Sequence, residues 1–101
     1  MIRRIVSLHP EAIAEGREAR LWYRVRSQAV EERFRLALNA AIAAIRQAPE
    51  RWSADEDGFR YRRVAGFPYR LIYWTDGQSS IVVAIAHSKR RPGYWKVRTP
   101  R

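Results

Sequence analysis

FPYRLIYWTDGQSSIVVAIAHSKRRPGYW, residues 67–95, decides how this chain folds. Tyr69, Leu71, Tyr73 and Thr75 alternate with Arg70, Ile72 and Trp74, the period-two pattern of a strand. Asp76-Gly77 is the dipeptide of a two-residue type I′ hairpin, whose two turn positions both need positive φ. The run Ile81 to Ala86 is apolar throughout, as expected of a central strand covered on both faces. His87, Lys89, Arg90, Arg91, Tyr94 and Lys96 then follow together, and polar groups crowded at a buried strand's end mark the place to look for function.

Working outward from the hairpin, residues 59–65 (Phe59 to Ala65) form a further strand, with Phe59 and Tyr61 on one side and Arg60 and Arg62 on the other. Gly66 and Pro68 supply the turn between the two. Upstream, Val30, Phe34, Ala37, Leu38, Ala41, Ile42 and Ile45 recur at spacings of three and four, so a helix capped by Ser27 runs to about Ala48 and stops at Pro49. On its wet side Glu31 and Arg35 are spaced for an i,i+4 pair. A preceding helix spans about Pro10 to Arg26, with proline at its first position and Glu11 in its first turn. Its apolar positions are Ala12, Ala19, Trp22 and Tyr23, while Glu15, Arg17, Glu18, Arg20 and Arg24 point outward. Gly16 weakens this helix, which therefore depends on packing. Ile2 to Leu8 is a short first strand.

The expected fold is α+β, in the order β-α-α-β-β-β: an N-terminal strand, then an antiparallel helical hairpin on one face of an antiparallel sheet, and a basic C-terminal tail. The 101 residues suit one domain, residues 1–101. Without cysteine the chain has no disulfide or zinc–thiolate site, which fits a reducing cytoplasm. No apolar run approaches the length of a membrane span, and no signal-peptide core follows Arg3-Arg4, so no membrane partner is expected.

The formal net charge of +10 is unevenly placed. Met1 to Gly58 carries ten Arg against nine Asp and Glu; Phe59 to Arg101 carries ten Lys and Arg against the single acid Asp76. An arginine-favouring host explains the excess of Arg over Lys but not the segregation, which draws anionic partners such as nucleic acid or an acidic protein. The sheet face away from the helices carries Arg60, Arg62 or Arg63, and Arg70, with Lys89, Arg90, Arg91 and Tyr94 from the tail beside them. Guanidinium groups suit phosphate because each donates two parallel hydrogen bonds. If that phosphate is attacked, they also stabilise the growing charge, while Tyr94 or His87 moves a proton.

Each assignment has a plainer alternative. Sheet arginines solvate a face, a strand-end histidine satisfies nearby backbone, and Tyr94 with Trp95 clamps the tail onto the sheet. The acidic run Asp55-Glu56-Asp57 reads as a solvated loop more readily than as a metal site, and Trp52 anchors that loop. No P-loop, HExxH or Ser-His-Asp set is present, so the chemistry on offer is cationic, with no cofactor and no metal.

Tyr69-Arg70-Leu71-Ile72-Tyr73, Val82-Val83-Ala84-Ile85-Ala86-His87 and Arg90-Arg91-Pro92-Gly93-Tyr94-Trp95, together with His9-Pro10-Glu11-Ala12, Trp22-Tyr23 and Phe34, resemble the RelE/ParE superfamily of toxins from type II toxin–antitoxin systems. The resemblance covers nearly the whole chain and implies a compact toxin held inactive by an acidic antitoxin. RelE-like members cut messenger RNA on the ribosome without metal; ParE-like members inhibit DNA gyrase. On the RelE side, Arg70 matches the phosphate-binding arginine, Arg90 the arginine at the end of the last strand, and Tyr94 the C-terminal tyrosine across a short gap. Of the two RelE lysines on the preceding strand, one falls at Arg63 and the other at Tyr61, and an arginine almost never gives up its proton. The Val-Ala-Ile-x-His ending is shared with ParE-like members. Three readings follow: a ribosome-dependent RNA-cleaving toxin, a gyrase-binding toxin, and a non-toxic basic nucleic-acid-binding module whose affinity falls steeply with salt.

Overall fold

The computed structural model describes residues 4–98. The chain runs β1 (Ile5–Leu8), α1 (Pro10–Arg24), α2 (Gln28–Gln47), β2 (Arg60–Arg63), β3 (Tyr69–Thr75), β4 (Ser79–His87) and a 3-10 turn, Tyr94–Val97. The expected start of the first strand at Ile2 and the last basic residue of the tail, Arg101, lie outside the described residues. The order β-α-α-β-β-β is the one expected.

The sheet, in the order β1-β4-β3-β2, is mixed rather than antiparallel, because β1 pairs with β4 in parallel. Chain direction explains the difference. His9 N–H donates to Val82 O, Glu15 reaches Ile85 N–H, and Tyr23 packs against Tyr69 beside His87, so α1 carries on along β4 in the direction β1 began. Helix α2 then returns to the other end, where Arg4 Nη1 donates to Gln47 O at 2.7 Å. Three alternating strands after an out-and-back hairpin leave β4 pointing the same way as β1.

Local chemistry sets the ends of the helices. His9 caps α1, its Nδ1 accepting from Glu11 N–H at 3.1 Å, and Ser27 Oγ accepts from Val30 N–H at 3.2 Å to cap α2. Helix α1 ends at Arg24, earlier than expected, because both Arg26 and Ser27 N–H turn back onto Tyr23 O. Helix α2 buries Phe34, Leu38, Ala41 and Ile45. The inward stripe of α1 is Ala12, Gly16, Ala19 and Tyr23, at spacings of four, three and four. Trp22 falls one position off that stripe and is exposed, with the Arg26 guanidinium 3.6 Å from its ring centroid, so its expected core role is corrected. Gly16 proves to be a contact point: a Cβ there would stand 3.0 Å from Ile85 Cδ1. The pair expected between Glu31 and Arg35 does not form; Arg35 pairs with Glu32 and Glu31 faces Arg20.

Leu71, Tyr73, Val82 and Ile85 meet the helices; Ile72, Val83, Ala84 and Ala86 meet Phe59 and the tail residue Trp95 on the opposite face. Strand β4 is thus covered on both sides, as its unbroken apolar run implied. The β3–β4 connection is a three-residue loop, not a type I′ turn. Among its residues only Gly77 has positive φ (97°), while the Asp76 carboxylate accepts from the N–H groups of Gln78 and Ser79. The register slips between Ile72 and Tyr73, leaving Val83 in a β-bulge without a partner on β3. Among the described residues, no helix is long and apolar enough to cross a membrane.

Candidate functional site

The basic residues separate into three groups. Strand pairing places Arg63 opposite Arg70 and Tyr61 opposite Ile72, on the face away from the helices. There the Arg70 guanidinium lies 4.6 Å from the Tyr61 ring centroid and 5.8 Å from that of Trp95. Arg60 and Arg62 pair with Tyr73 and Leu71 and therefore share the helix side, which corrects their expected position. Arg60 Nη1 donates to Trp52 O at 2.6 Å and Arg62 stacks over the Trp52 ring, so both hold the loop that Trp52 anchors. Lys89 and Arg91 stand exposed on the tail.

The third group gathers at the outer edge of β4. Strand β1 pairs only as far as Val82, and beyond it the edge of β4 is completed by side chains. Glu15 of α1, only 11% exposed, accepts from Ile85 N–H at 2.9 Å, Tyr94 Oη at 2.7 Å, Arg98 Nη1 at 2.9 Å and Arg90 Nη1 at 3.1 Å. Arg98, 7% exposed, also donates to Val83 O at 3.0 Å, the carbonyl of the bulged residue. Burial opposes charge on Arg98, but the Glu15 carboxylate outweighs it and raises the guanidinium's pKa. Burial and the hydrogen bond to Glu15 together push the Tyr94 phenol well above its ordinary value. Arg90, half exposed, lies over the Tyr94 ring at 3.7 Å.

Arg63 and Arg70 therefore come together, and so do Arg90 and Tyr94, with Trp95 touching both Tyr94 and Arg70. His87 is engaged separately: its Nδ1 accepts from Lys89 N–H at 3.0 Å and its ring meets Tyr69 edge-on. Glu15 and Arg98 were missed by sequence reasoning, which had Glu15 facing water. The signal for Glu15 was present, since it stands three residues after Ala12 and four before Ala19, on the flank of the buried stripe. Arg98 carried no comparable sign; it is set by the 3-10 turn that seats Trp95, where Arg98 N–H closes onto Trp95 O. Beside Glu15 a groove of about 420 Å³ opens between α1 and the sheet, lined by Ala19, Tyr23, Tyr69, Ile85, His87 and Arg90.

The acidic loop is held by local contacts. Asp55 accepts from Tyr61 Oη and from the N–H groups of Phe59 and Asp57, while Asp57 pairs with Lys96 at 2.8 Å. Burial and the bond to Asp55 push the Tyr61 phenol up to about 12. For Asp55, burial disfavours the charge, but the bonds from Tyr61, Phe59 and Asp57 and the nearby Lys96 prevail and lower its pKa. A carboxyl lowered in the folded state adds stability above its unfolded pKa of about 4 and loses it as pH falls through the folded value. Asp55→Asn is accordingly expected to lower the urea midpoint at pH 7 and to leave it near wild type at pH 2. An equal loss at both pH values would show that the charge contributes nothing.

No individually curated protein matches the chain. A family model does: the one described as ParE toxin of type II toxin-antitoxin system, parDE, matches residues 6–92. That span takes in both helices and all but the first residue of the four-stranded sheet, and it stops short of Tyr94. The chain belongs to the ParE family of toxins from type II toxin–antitoxin systems.

Proposed function

We propose that this toxin arrests growth in the cytoplasm by binding DNA gyrase as a protein ligand, without cutting RNA. The observation that supports it most is the occupation of Tyr94 and Arg90 by Glu15. Metal-independent RNA cleavage needs groups that give and take protons beside a bound phosphate. Here the tyrosine is committed to a carboxylate, with its pKa raised, and Arg63 occupies a lysine position of the RNA-cleaving branch. A basic tail fastened to the sheet instead offers a fixed cationic surface for a large partner. The antitoxin's part is an acidic segment with apolar side chains, suited to the groove beside α1, where Arg90 and His87 lie next to Ala19, Tyr23 and Tyr69.

One observation favours RNA cleavage as a second reading: Arg63 and Arg70 stand side by side on the sheet face away from the helices, spaced as adjoining strand partners. The two mechanisms separate in parallel assays. Purified gyrase should lose supercoiling activity as toxin is added, and messenger RNA on translating ribosomes should stay intact at the same dose. Codon-positioned cuts that vanish in Arg70→Ala, with supercoiling unaffected, would replace the gyrase reading by the nuclease one.

A further inference from the structure

The edge of β4 beyond Val82 carries a hollow built for one anion. Its donors are a backbone N–H (Ile85), a phenol (Tyr94) and two guanidinium groups (Arg90 and Arg98), and all four aim at a single carboxylate. Three of the four come from the segment after β4, whereas the carboxylate comes from α1, more than 70 residues earlier in the chain. Within residues 88–98, Trp95 packs against Ala84 and Ala86 on one face of the sheet, and Arg98 closes on Glu15 and Val83 O at its edge. The segment thus wraps the sheet as a strap, fastened at its far end by charge rather than by strand pairing.

We propose that Glu15 is the built-in anionic ligand of this hollow and the positioning residue that seats the strap. With the side chain removed, the hollow becomes a binding site for a small carboxylate or phosphate. The chemistry follows from the donors. Two cations and two neutral donors around a nearly buried point stabilise a monoanion, and none of them can act as acceptor for a neutral replacement except the phenol oxygen. Removing Glu15 leaves Arg98, 7% exposed, with no carboxylate nearer than that of the exposed Glu11, at 3.6 Å, and leaves Ile85 N–H unpaired in a strand edge. The strap must then open to hydrate them or take an anion from solution. Seating also fixes how the exposed Lys89, Arg90 and Arg91 are presented, so it governs the surface that any target meets, whether gyrase or RNA.

Trypsin reads the strap directly, because Lys89, Arg90 and Lys96 lie within it, and the readout involves no target. In the full chain, Glu15→Ala should be cut at these sites roughly tenfold faster than wild type, in proportion to the population of the opened strap. Sodium formate, or inorganic phosphate, should restore slow cleavage to Glu15→Ala, while sodium chloride at equal ionic strength should not. Wild type should respond to none of the three. Glu15→Gln keeps the size and one acceptor of the side chain; it should fold and still show faster cleavage, with no rescue because the amide fills the hollow. Wild-type protection of the strap in Glu15→Gln, or rescue of Glu15→Ala by chloride as effectively as by formate, would overturn the proposal. A chain that passes this test yet leaves gyrase untouched would fail only as a gyrase inhibitor.

Discussion

Arg98→Met is expected to destabilise the fold by about 3–5 kcal/mol, the usual cost of removing one partner from a buried ion pair. Its guanidinium is 7% exposed and holds both Glu15 and the bulge carbonyl Val83 O. Methionine fills much of the same volume, so the loss is assigned to electrostatics and hydrogen bonding rather than to a cavity. The deleted cation leaves a carboxylate on α1 facing fewer donors and a strand carbonyl facing none. Against a total stability of about 5–15 kcal/mol for a domain of this kind, that is a large share. Arg90→Met, which touches the same carboxylate from a half-exposed position, should cost less than about 1 kcal/mol. Urea unfolding at pH 7 compares the two. Midpoints that move equally would mean that burial adds nothing and that Glu15 is satisfied by whichever donors remain.

Phe34→Ala should be comparably severe, at about 3–5 kcal/mol, for an unrelated reason. Phe34 is fully buried, and its ring lies 5.1 Å from those of Tyr23 and Phe67 and 5.4 Å from that of Tyr69. Truncation removes the central member of an aromatic cluster that joins both helices to β3 and to the turn before it. The surrounding rings are held by elements that cannot all close inward, so a void remains. Leu36→Ala on the same helix, 55% exposed, should stay within about 0.5 kcal/mol of wild type. A Phe34→Ala loss below about 1 kcal/mol would show that the cluster repacks freely.

The fold was readable where burial writes a period into the sequence. Phe34, Leu38, Ala41 and Ile45 announced α2, Ile81 to Ala86 announced a two-sided strand, and Pro10 and Ser27 marked helix starts. What stayed hidden depends on direction and on side-chain reach. That β1 runs parallel to β4 follows from α1 continuing along the sheet, and no residue pattern reports the path of a helix over a sheet. Asp76-Gly77 suggested a tighter turn than the three residues in which the Asp76 carboxylate holds two backbone N–H groups. At the candidate site, strand alternation separated Arg70 from Leu71 and Tyr73, but it left Arg62 and Arg63 as alternatives beside Arg70, and only the pairing of β2 with β3 selects Arg63. Arg60 and Arg62 were misplaced because the alternation of a short strand was not tied to its neighbour's. The carboxylate on α1 went unnoticed because charged residues on a helix were all assigned to water.

Strand β1 stops after four residues, and that brevity has a consequence for how the molecule is made. On the side away from β3, the upper half of β4 has no neighbouring strand and waits for Arg98, one of the last described residues to be synthesised, to finish it. A nascent chain therefore carries a raw sheet margin until the very stretch that bears Tyr94 and Trp95 emerges, and such margins invite pairing with other chains. Completion of the fold and display of the cationic surface become a single late event during translation.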